Sequence, residues 1–229
     1  MDFTYSPKVE ALCQQLKSFM DDHIVPRIGQ WHKEVNAGVY PVSFMEDLKA
    51  RAKTEGLWNL FLPHLSAGEP GTGLSNLEYA PLAEIMGSIS WAAEVFNCNA
   101  PDTGNMELLH MCATAPQRKQ WLEPLLNGSM RSAFAMTEPD VASSDATNIQ
   151  TSITRDGDDY VINGRKWFIT NAAHPNCKIL ILMGKTDPTA DTHHQQSMIL
   201  VPIDTAGVEV VRNINIMNHH SPEGHCEIV

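Results

Sequence analysis

Two short stretches of this sequence carry residues that could hold a flat, polar ligand. The first, FAMTEPDVASSD (residues 134–145), begins with a strand pattern and meets Pro139, which cannot continue a ladder of backbone hydrogen bonds. Free N–H groups and hydroxyls just past a strand can bind phosphate or ring carbonyl groups. The second, KWFITN (residues 166–171), is also a predicted strand that ends in a threonine. Taken alone, each stretch is explained more simply as an ordinary strand with a polar turn. Besides Glu138, the side-chain oxygens of the first stretch lie at Thr137, Asp140, Ser143, Ser144 and Asp145.

Helix patterns dominate the chain before these stretches. The apolar residues from Val9 to Ile24 recur at helical spacing, which predicts one buried face. Residues 62–73 are rich in Gly and Pro and are predicted to form a loop. Helix-start signals, either Ser-Pro or a capping box, occur at residues 6–7, 43–46, 75–78 and 114–117.

The pattern changes to strands at residue 131. Asp156-Gly157 and Asn163-Gly164 have the form of hairpin turns, and the strands follow one another closely. We therefore expect an antiparallel meander curled into a barrel or sandwich. The fold class is α+β by segments, with an α-helical N-terminal domain over residues 1–130 and a β-barrel domain over residues 131–229. The predicted strands are 132–137, 149–154, 159–162, 165–170, 178–185, 197–203, 208–212 and 225–229.

Composition narrows the function classes. The chain has 229 residues, of which 43% are hydrophobic and 19% charged, and its formal net charge is −11. Such an acidic balance argues against nucleic acid or an anionic membrane as the general partner. No apolar run is long enough to span a bilayer, and MDFTYSPKVE lacks the features of a signal peptide. Five scattered cysteines without a CxxC pair indicate a reducing compartment, so we expect a cytoplasmic protein in a bacterium or an organelle-matrix protein in a eukaryote.

Other chemistry is less well supported. No GxGxxG or GxxxxGK[ST] motif occurs, so neither a Rossmann nor a P-loop nucleotide site is predicted. Glu138 could serve as a general base, but its place in Thr-Glu-Pro favours a structural role. A group near the end has the residue types of a metal site, yet its spacing matches no ligand pattern, and we expect no metal. That group is His219, His220, His225, Cys226 and Glu227.

The two stretches together resemble the acyl-CoA dehydrogenase family. The shared features are a strand ending in Thr-Glu-Pro, a loop of small residues closing on Ser144-Asp145, and a hairpin leading into WFITN (residues 167–171). Members with an APLAE helix (here residues 80–84) and a His-His segment (here His219–His220) are the most similar. One departure is that residues 140–143 replace the usual glycines in a loop one residue longer. Family members continue past the barrel into a C-terminal four-helix bundle, so the resemblance implies a fragment or a shortened relative.

The resemblance also implies a reaction. Such enzymes bind FAD and oxidise an acyl-CoA thioester, with a carboxylate removing the α proton while the β hydrogen leaves as hydride to flavin N5. That carboxylate lies in the bundle, so no catalytic residue is assigned here. Ser144 is expected to contact both the cofactor and the CoA part of the substrate. The Thr137 hydroxyl is expected near the pyrimidine edge of the flavin, and the Thr170 hydroxyl near N5. The residues expected to contact the cofactor are Phe134, Ala135, Met136, Thr137, Ser143, Ser144, Trp167, Phe168, Ile169 and Thr170.

The same resemblance implies partners and leaves alternatives open. An electron-transfer flavoprotein would accept the electrons in fatty acid β-oxidation, and the full-length form would be a homodimer or homotetramer. An acyl-CoA oxidase or a flavin monooxygenase relative would share the scaffold. A non-catalytic binding or assembly module that has lost the chemistry is the third hypothesis.

Overall fold

The computed structural model describes residues 4–62 and 73–229, which form two compact units, residues 1–111 and 112–229. Within the described residues, the change from helix to strand comes at Arg131. The domain boundary between residues 130 and 131 stays a prediction, because helices of residues 112–127 belong to the second unit. The loop predicted over residues 62–73 lies almost entirely outside the described residues.

Helices make up the first unit. Ser6 caps the first helix by accepting a hydrogen bond from the Val9 backbone N–H at 3.3 Å, as predicted. The predicted apolar face of residues 9–24 is buried, and it continues from this helix into a π-helical turn at Met20–Ile24. No described helix has the length and apolar character needed to cross a membrane. The helices of this unit are α1 (Pro7–Phe19), α2 (Ile28–Asn36), α3 (Met45–Thr54), α4 (Asn76–Gly87), α5 (Ala92–Val95) and α6 (Asp102–Cys112), which ends at the unit boundary.

The capping boxes have different outcomes. Ser75 and Glu78 form the predicted box at the start of α4. The box predicted at Ser43 is wrong, because α3 begins at Met45 without a side-chain cap. Ser43 is instead engaged by α2, since its backbone N–H and hydroxyl donate to the Glu34 carboxylate at 2.6 and 2.8 Å.

The second unit opens with two short helices and continues with strands. Thr114 and Gln117 form the predicted capping box of α7 (Ala115–Gln117), and α8 (Glu123–Asn127) ends at Gly128, whose φ of 79° is left-handed. The strands are β1 (Arg131–Ala135), β2 (Ser152–Asp156), β3 (Asp159–Asn163), β4 (Lys166–Thr170), β5 (Cys177–Lys185), β6 (Gln196–Pro202), β7 (Val210–Asn213) and β8 (His225–Ile228).

These strands form two sheets that share one core. The larger sheet contains β1, β5, β2, β3 and β6, and the smaller has the order β4-β8-β7. Ala135, Leu180 and Val201 of the larger sheet are buried in one cluster with Ile169 and Cys226 of the smaller. Two sheets that bury facing side chains form a sandwich. The predicted fold class is therefore confirmed.

The strand connections differ from the predicted meander. β1 runs parallel to β5, with Phe134 opposite Ile181, and β2 meets the other end of β5 in a parallel pair at Ser152 and Lys185. β5 is the longest strand and is largely buried. A strand with so much apolar surface is covered best at the centre of a sheet. β5 consequently pairs with β1, β2 and β6. It separates β1 from β2, although these two strands are consecutive in the sequence.

Candidate functional site

The two stretches singled out in the sequence lie side by side in the second unit. The Trp167 backbone N–H donates to the Thr137 carbonyl at 2.9 Å, which joins the chain just past β1 to β4. Thr137 is exposed, and Thr170 at the end of β4 is half-buried. The phenyl ring of Phe168 is 39% exposed. The junction thus has exposed aromatic surface and accessible hydroxyl groups.

A buried lysine supports this junction. The side chain of Lys166 is 2% exposed, and its Nζ donates to the carbonyls of Met136 and Met183 and to Glu138 Oε1, each at 2.8 Å. An ammonium group has three N–H donors, and all three are used here. Lys166 therefore ties the residues just past β1 to both β4 and β5.

Glu138 is the anionic partner of this lysine. Its Oε2 accepts from the Gln150 backbone N–H at 2.7 Å, and its Oε1 accepts from the backbone N–H and hydroxyl of Thr151 at 2.9 and 2.6 Å. Burial alone would raise the pKa of Glu138, but the hydrogen bonds from Lys166, Thr151 and Gln150 outweigh it and hold that pKa below its ordinary value. A carboxylate so occupied is a structural anchor, in agreement with the role favoured from Thr-Glu-Pro.

A β-bulge in β4 explains why Phe168 faces outward. The pairing with β8 shifts register between Lys166 and Ile169, and Phe168 has a φ of 53°. In a regular strand, residues three apart point to opposite faces, yet Lys166 and Ile169 are both buried. A residue other than glycine with positive φ has a strained backbone, and such strain is concentrated at ligand sites. The ring centroids of Trp167 and Phe168 lie 4.9 Å apart, and the two ring planes meet at 60°.

The loop after Glu138 is closed by Ser143. Its buried hydroxyl accepts from the Glu138 backbone N–H at 2.7 Å and lies 3.1 Å from the Val141 carbonyl. Ser144 beside it is exposed. Asp145 then caps a short 3₁₀ turn by accepting from the backbone N–H and hydroxyl of Thr147 at 3.0 and 2.6 Å. Side-chain hydrogen bonds therefore determine the path of a loop that lacks the usual glycines.

The predicted cofactor residues fall into two groups. Ala135, Ser143 and Ile169 are buried, with 0%, 5% and 1% of their surface exposed, so they offer backbone rather than side chains. The other group has accessible side-chain surface. It comprises Phe134, Met136, Thr137, Ser144, Trp167, Phe168 and Thr170, of which Thr137, Ser144 and Phe168 are exposed and the rest half-buried.

Two supporting residues were missed in the sequence. Lys166 was part of the KWFITN motif but was given no role, and His225 was considered only as a metal ligand. The Nδ1 of His225 lies 3.0 Å from the Thr170 hydroxyl. Across residues 4–62 and 73–229, no three His, Cys, Asp or Glu side chains are placed to hold a metal ion.

Two family models and a curated relative match this chain. The family models "Acyl-CoA dehydrogenase, N-terminal domain" and "Acyl-CoA dehydrogenase, middle domain" match residues 6–129 and 133–228. "Probable acyl-CoA dehydrogenase FadE2" of Mycobacterium tuberculosis is 53% identical over 234 residues, which cover 100% of this chain and 56% of that protein. The chain thus spans about half the length of this relative.

Solved structures show the same fold. The solved "Structure of a putative acyl-CoA dehydrogenase from Mycobacterium abscessus" is 46% identical and superposes with a TM-score of 0.91, covering 99% of this chain and 58% of that one. PigA, solved as its FAD complex, is 24% identical with a TM-score of 0.76, covers 100% of this chain and 56% of that one, and shows the fold alone. The matches to both domain models and to FadE2 establish that this chain belongs to the acyl-CoA dehydrogenase family.

Proposed function

We propose that the protein takes part in the FAD-dependent α,β-dehydrogenation of an acyl-CoA thioester, and that the second unit forms one wall of the flavin site. The observation that carries this proposal is the 2.9 Å hydrogen bond from the Trp167 N–H to the Thr137 carbonyl. It brings together the two segments that the family resemblance assigns to the flavin. Family membership supports the reaction class, and PigA, which shares the fold, was solved as an FAD complex.

The residues at the junction suit a flavin ring. An isoalloxazine is flat, apolar on its faces and polar along its edges. Phe168 presents exposed aromatic surface for a face, while the Thr137 and Thr170 hydroxyls can each donate or accept a hydrogen bond at an edge. Phe134, Ala135, Met136 and Ile169 would contribute backbone and apolar surface beside them.

The proposed division of labour follows from what each group can do. Bound FAD would supply the hydride acceptor. Thr137 and Thr170 would orient the ring, and Trp167 and Phe168 would exclude water from it. Glu138 cannot serve as the base for the α proton, because four hydrogen bonds already occupy its carboxylate. We assign the base to a carboxylate outside residues 1–229.

Ser143 and Ser144 would have separate roles. Ser143 is committed to the loop through the Glu138 N–H, so it would act on the cofactor by shaping the backbone. Ser144 is exposed and would contact the cofactor and the CoA part of the substrate. We further propose an electron-transfer flavoprotein as the electron acceptor and a homo-oligomeric assembly, by analogy with the family.

Flavin binding gives a direct test. FAD is titrated into the purified complete gene product, and its dissociation constant is measured by flavin fluorescence for the wild type and for Thr137→Val. We expect the variant to bind about three- to tenfold more weakly, which is the usual worth of one hydrogen bond. Thr192→Val, an exposed threonine elsewhere in the same unit, serves as the matched control.

The reaction class is tested on the same sample. Acyl-CoA is added without oxygen, and bleaching of the visible flavin band is expected. Rapid reoxidation of the bleached flavin by air would favour an oxidase or monooxygenase. A colourless protein that cannot be reconstituted with FAD would refute the proposal and favour a binding or assembly module. We expect residues 1–229 alone to bind FAD weakly and to turn over no substrate.

A further inference from the structure

Thr170 faces a histidine that the proposed reaction does not use. Thr170 and His225 are directly opposed in the antiparallel pairing of β4 with β8. The Thr170 Oγ1 and the His225 Nδ1 lie 3.0 Å apart, within hydrogen-bond distance. Both side chains are half-buried, so the pair lies at the edge of the core rather than in open solvent.

The backbone around the imidazole is firmly held. The His225 N–H donates to Asn213 Oδ1 at 2.8 Å, and its carbonyl accepts from the Ile214 N–H at 2.9 Å. Gly224 precedes it with a φ of 83°, and a Cβ there would lie 2.6 Å from the Ala173 Cβ. The chain is thus packed too tightly on this side for His225 to shift away from Thr170 without disturbing β8.

The chemistry of the two groups makes their hydrogen bond directional. A threonine hydroxyl has one donor and can also accept, whereas a neutral imidazole nitrogen does one or the other. When Nδ1 carries the proton, it donates to Thr170 Oγ1, and the hydroxyl proton is free to point outward. When Nδ1 is unprotonated, it accepts that proton, and the Thr170 oxygen is left to accept from another group.

We propose that His225 is a positioning residue that sets, through Thr170, whether the threonine presents a donor or an acceptor at the flavin N5 edge. This inference rests on the proposed function, because it takes the Thr170 hydroxyl to lie beside N5. The N5 atom accepts a hydrogen bond in oxidised flavin and carries a proton in reduced flavin. The tautomer of His225 therefore matches the polarity of Thr170 to the redox state of the cofactor.

Substitution separates this role from simple packing. His225→Leu removes the Nδ1 partner, whereas the amide of His225→Asn can place either a donor or an acceptor near the same point. In the complete gene product, we expect His225→Leu to weaken the binding of oxidised FAD about three- to tenfold, and His225→Asn to stay within about twofold of the wild type. His219→Leu, an exposed histidine before β8, is the matched control.

Two further measurements distinguish positioning from a structural effect. In the Thr170→Val background, His225→Leu should have little additional effect on FAD affinity, because the partner is already absent. His225→Leu should also change the ratio of the dissociation constants for oxidised and reduced FAD, which a general loss of packing would not do. In the FAD-free protein, Thr170→Val should shift the imidazole nitrogen resonances of His225 in long-range ¹H–¹⁵N NMR spectra.

The outcomes are separable. Wild-type protein that binds no FAD overturns the proposed function, and the role of His225 with it. If the wild type binds FAD, Thr170→Val binds it more weakly and His225→Leu binds it as tightly as the wild type, only the positioning role is overturned. Additive effects of Thr170→Val and His225→Leu on FAD affinity overturn it as well. So do His225 imidazole resonances that do not shift in Thr170→Val. Should His225→Leu fail to fold, the comparison of His225→Asn with the wild type and the NMR measurement still decide.

Discussion

Replacing Lys166 with methionine tests whether one buried ammonium holds the candidate site together. The substitution keeps an unbranched side chain of similar length and removes only the charged donor. Lys166 makes three 2.8 Å contacts, to Met136 O, Glu138 Oε1 and Met183 O, and its side chain is 2% exposed. Its removal therefore leaves two carbonyls without this partner and a buried carboxylate without its countercharge.

The expected cost follows from these contacts. Removing one partner of a buried ion pair typically costs about 3–5 kcal/mol. Glu138 keeps three other donors, from Gln150 N–H and from the N–H and hydroxyl of Thr151, so the lower half of that range applies. The two orphaned carbonyls each add on the order of 1 kcal/mol. We expect a loss of about 5–6 kcal/mol, a large part of the stability of a typical domain, and a melting temperature lower by about 15 °C.

The assay is urea and thermal unfolding followed by circular dichroism. Lys178→Met is the matched control, because Lys178 lies on the exposed side of β5 and should cost little. Glu138→Gln should be destabilised like Lys166→Met, and the double variant should be less destabilised than the sum, by about 1–3 kcal/mol of coupling. FAD affinity should fall with Lys166→Met, because the Met136 carbonyl adjoining Thr137 loses its anchor.

A particular result would refute this reasoning. If the free energies of unfolding of Lys166→Met and Lys178→Met agree within about 1 kcal/mol, the ion pair does not stabilise the junction, whatever its geometry. Additive effects of Glu138→Gln and Lys166→Met would show that the two side chains are not coupled. If Lys166→Met is less stable but binds FAD as tightly as the wild type, Lys166 stabilises the fold without holding the candidate site. That result would refute only the prediction on FAD affinity.

Three further predictions concern the same unit. Since hydrogen bonds lower the pKa of Glu138, its stabilising contribution should be complete above about pH 4.5 and be lost as the pH falls through the lowered pKa, so urea midpoints should fall more steeply for the wild type than for Glu138→Gln. Ser143→Ala should cost about 1–2 kcal/mol by leaving the buried Glu138 N–H without its acceptor, whereas Ser144→Ala should leave the melting temperature unchanged. Gly164→Ala should lower the melting temperature, because a Cβ there would lie 2.2 Å from Thr151 Oγ1; an unchanged value would contradict that close approach.

Local sequence signals predicted structure well where both partners lie within one turn of a helix. The boxes at Ser75–Glu78 and Thr114–Gln117 are each complete within four residues, and both are present. The box at Ser43 failed because Glu34, nine residues upstream, takes up the Ser43 hydrogen-bonding groups. A capping pattern describes what a serine can do, but a stronger partner from another helix can decide what it does.

Strand existence was likewise predictable, and strand order was not. All eight predicted strands are present with shifts of up to three residues at their ends. Of the two predicted hairpin turns, Asp156-Gly157 does pair β2 with β3, but the one at Asn163-Gly164 is wrong, because β3 lies in the larger sheet and β4 in the smaller. The parallel pairing of β1 with β5 depends on burial of β5, which is a property of the whole sheet.

In the candidate site, too, local features were predictable and long-range contacts were not. Thr137 and Thr170 belong to short motifs, so resemblance alone was enough to select them. The residues that hold them were not recognisable, because Lys166 meets Glu138 across 28 positions and His225 meets Thr170 across 55. Neither Lys166 nor His225 needs to touch a ligand in order to matter. Substitutions at such supports should therefore impair flavin binding through geometry, which explains why their effects are best measured as couplings to Glu138 and Thr170 rather than as single losses.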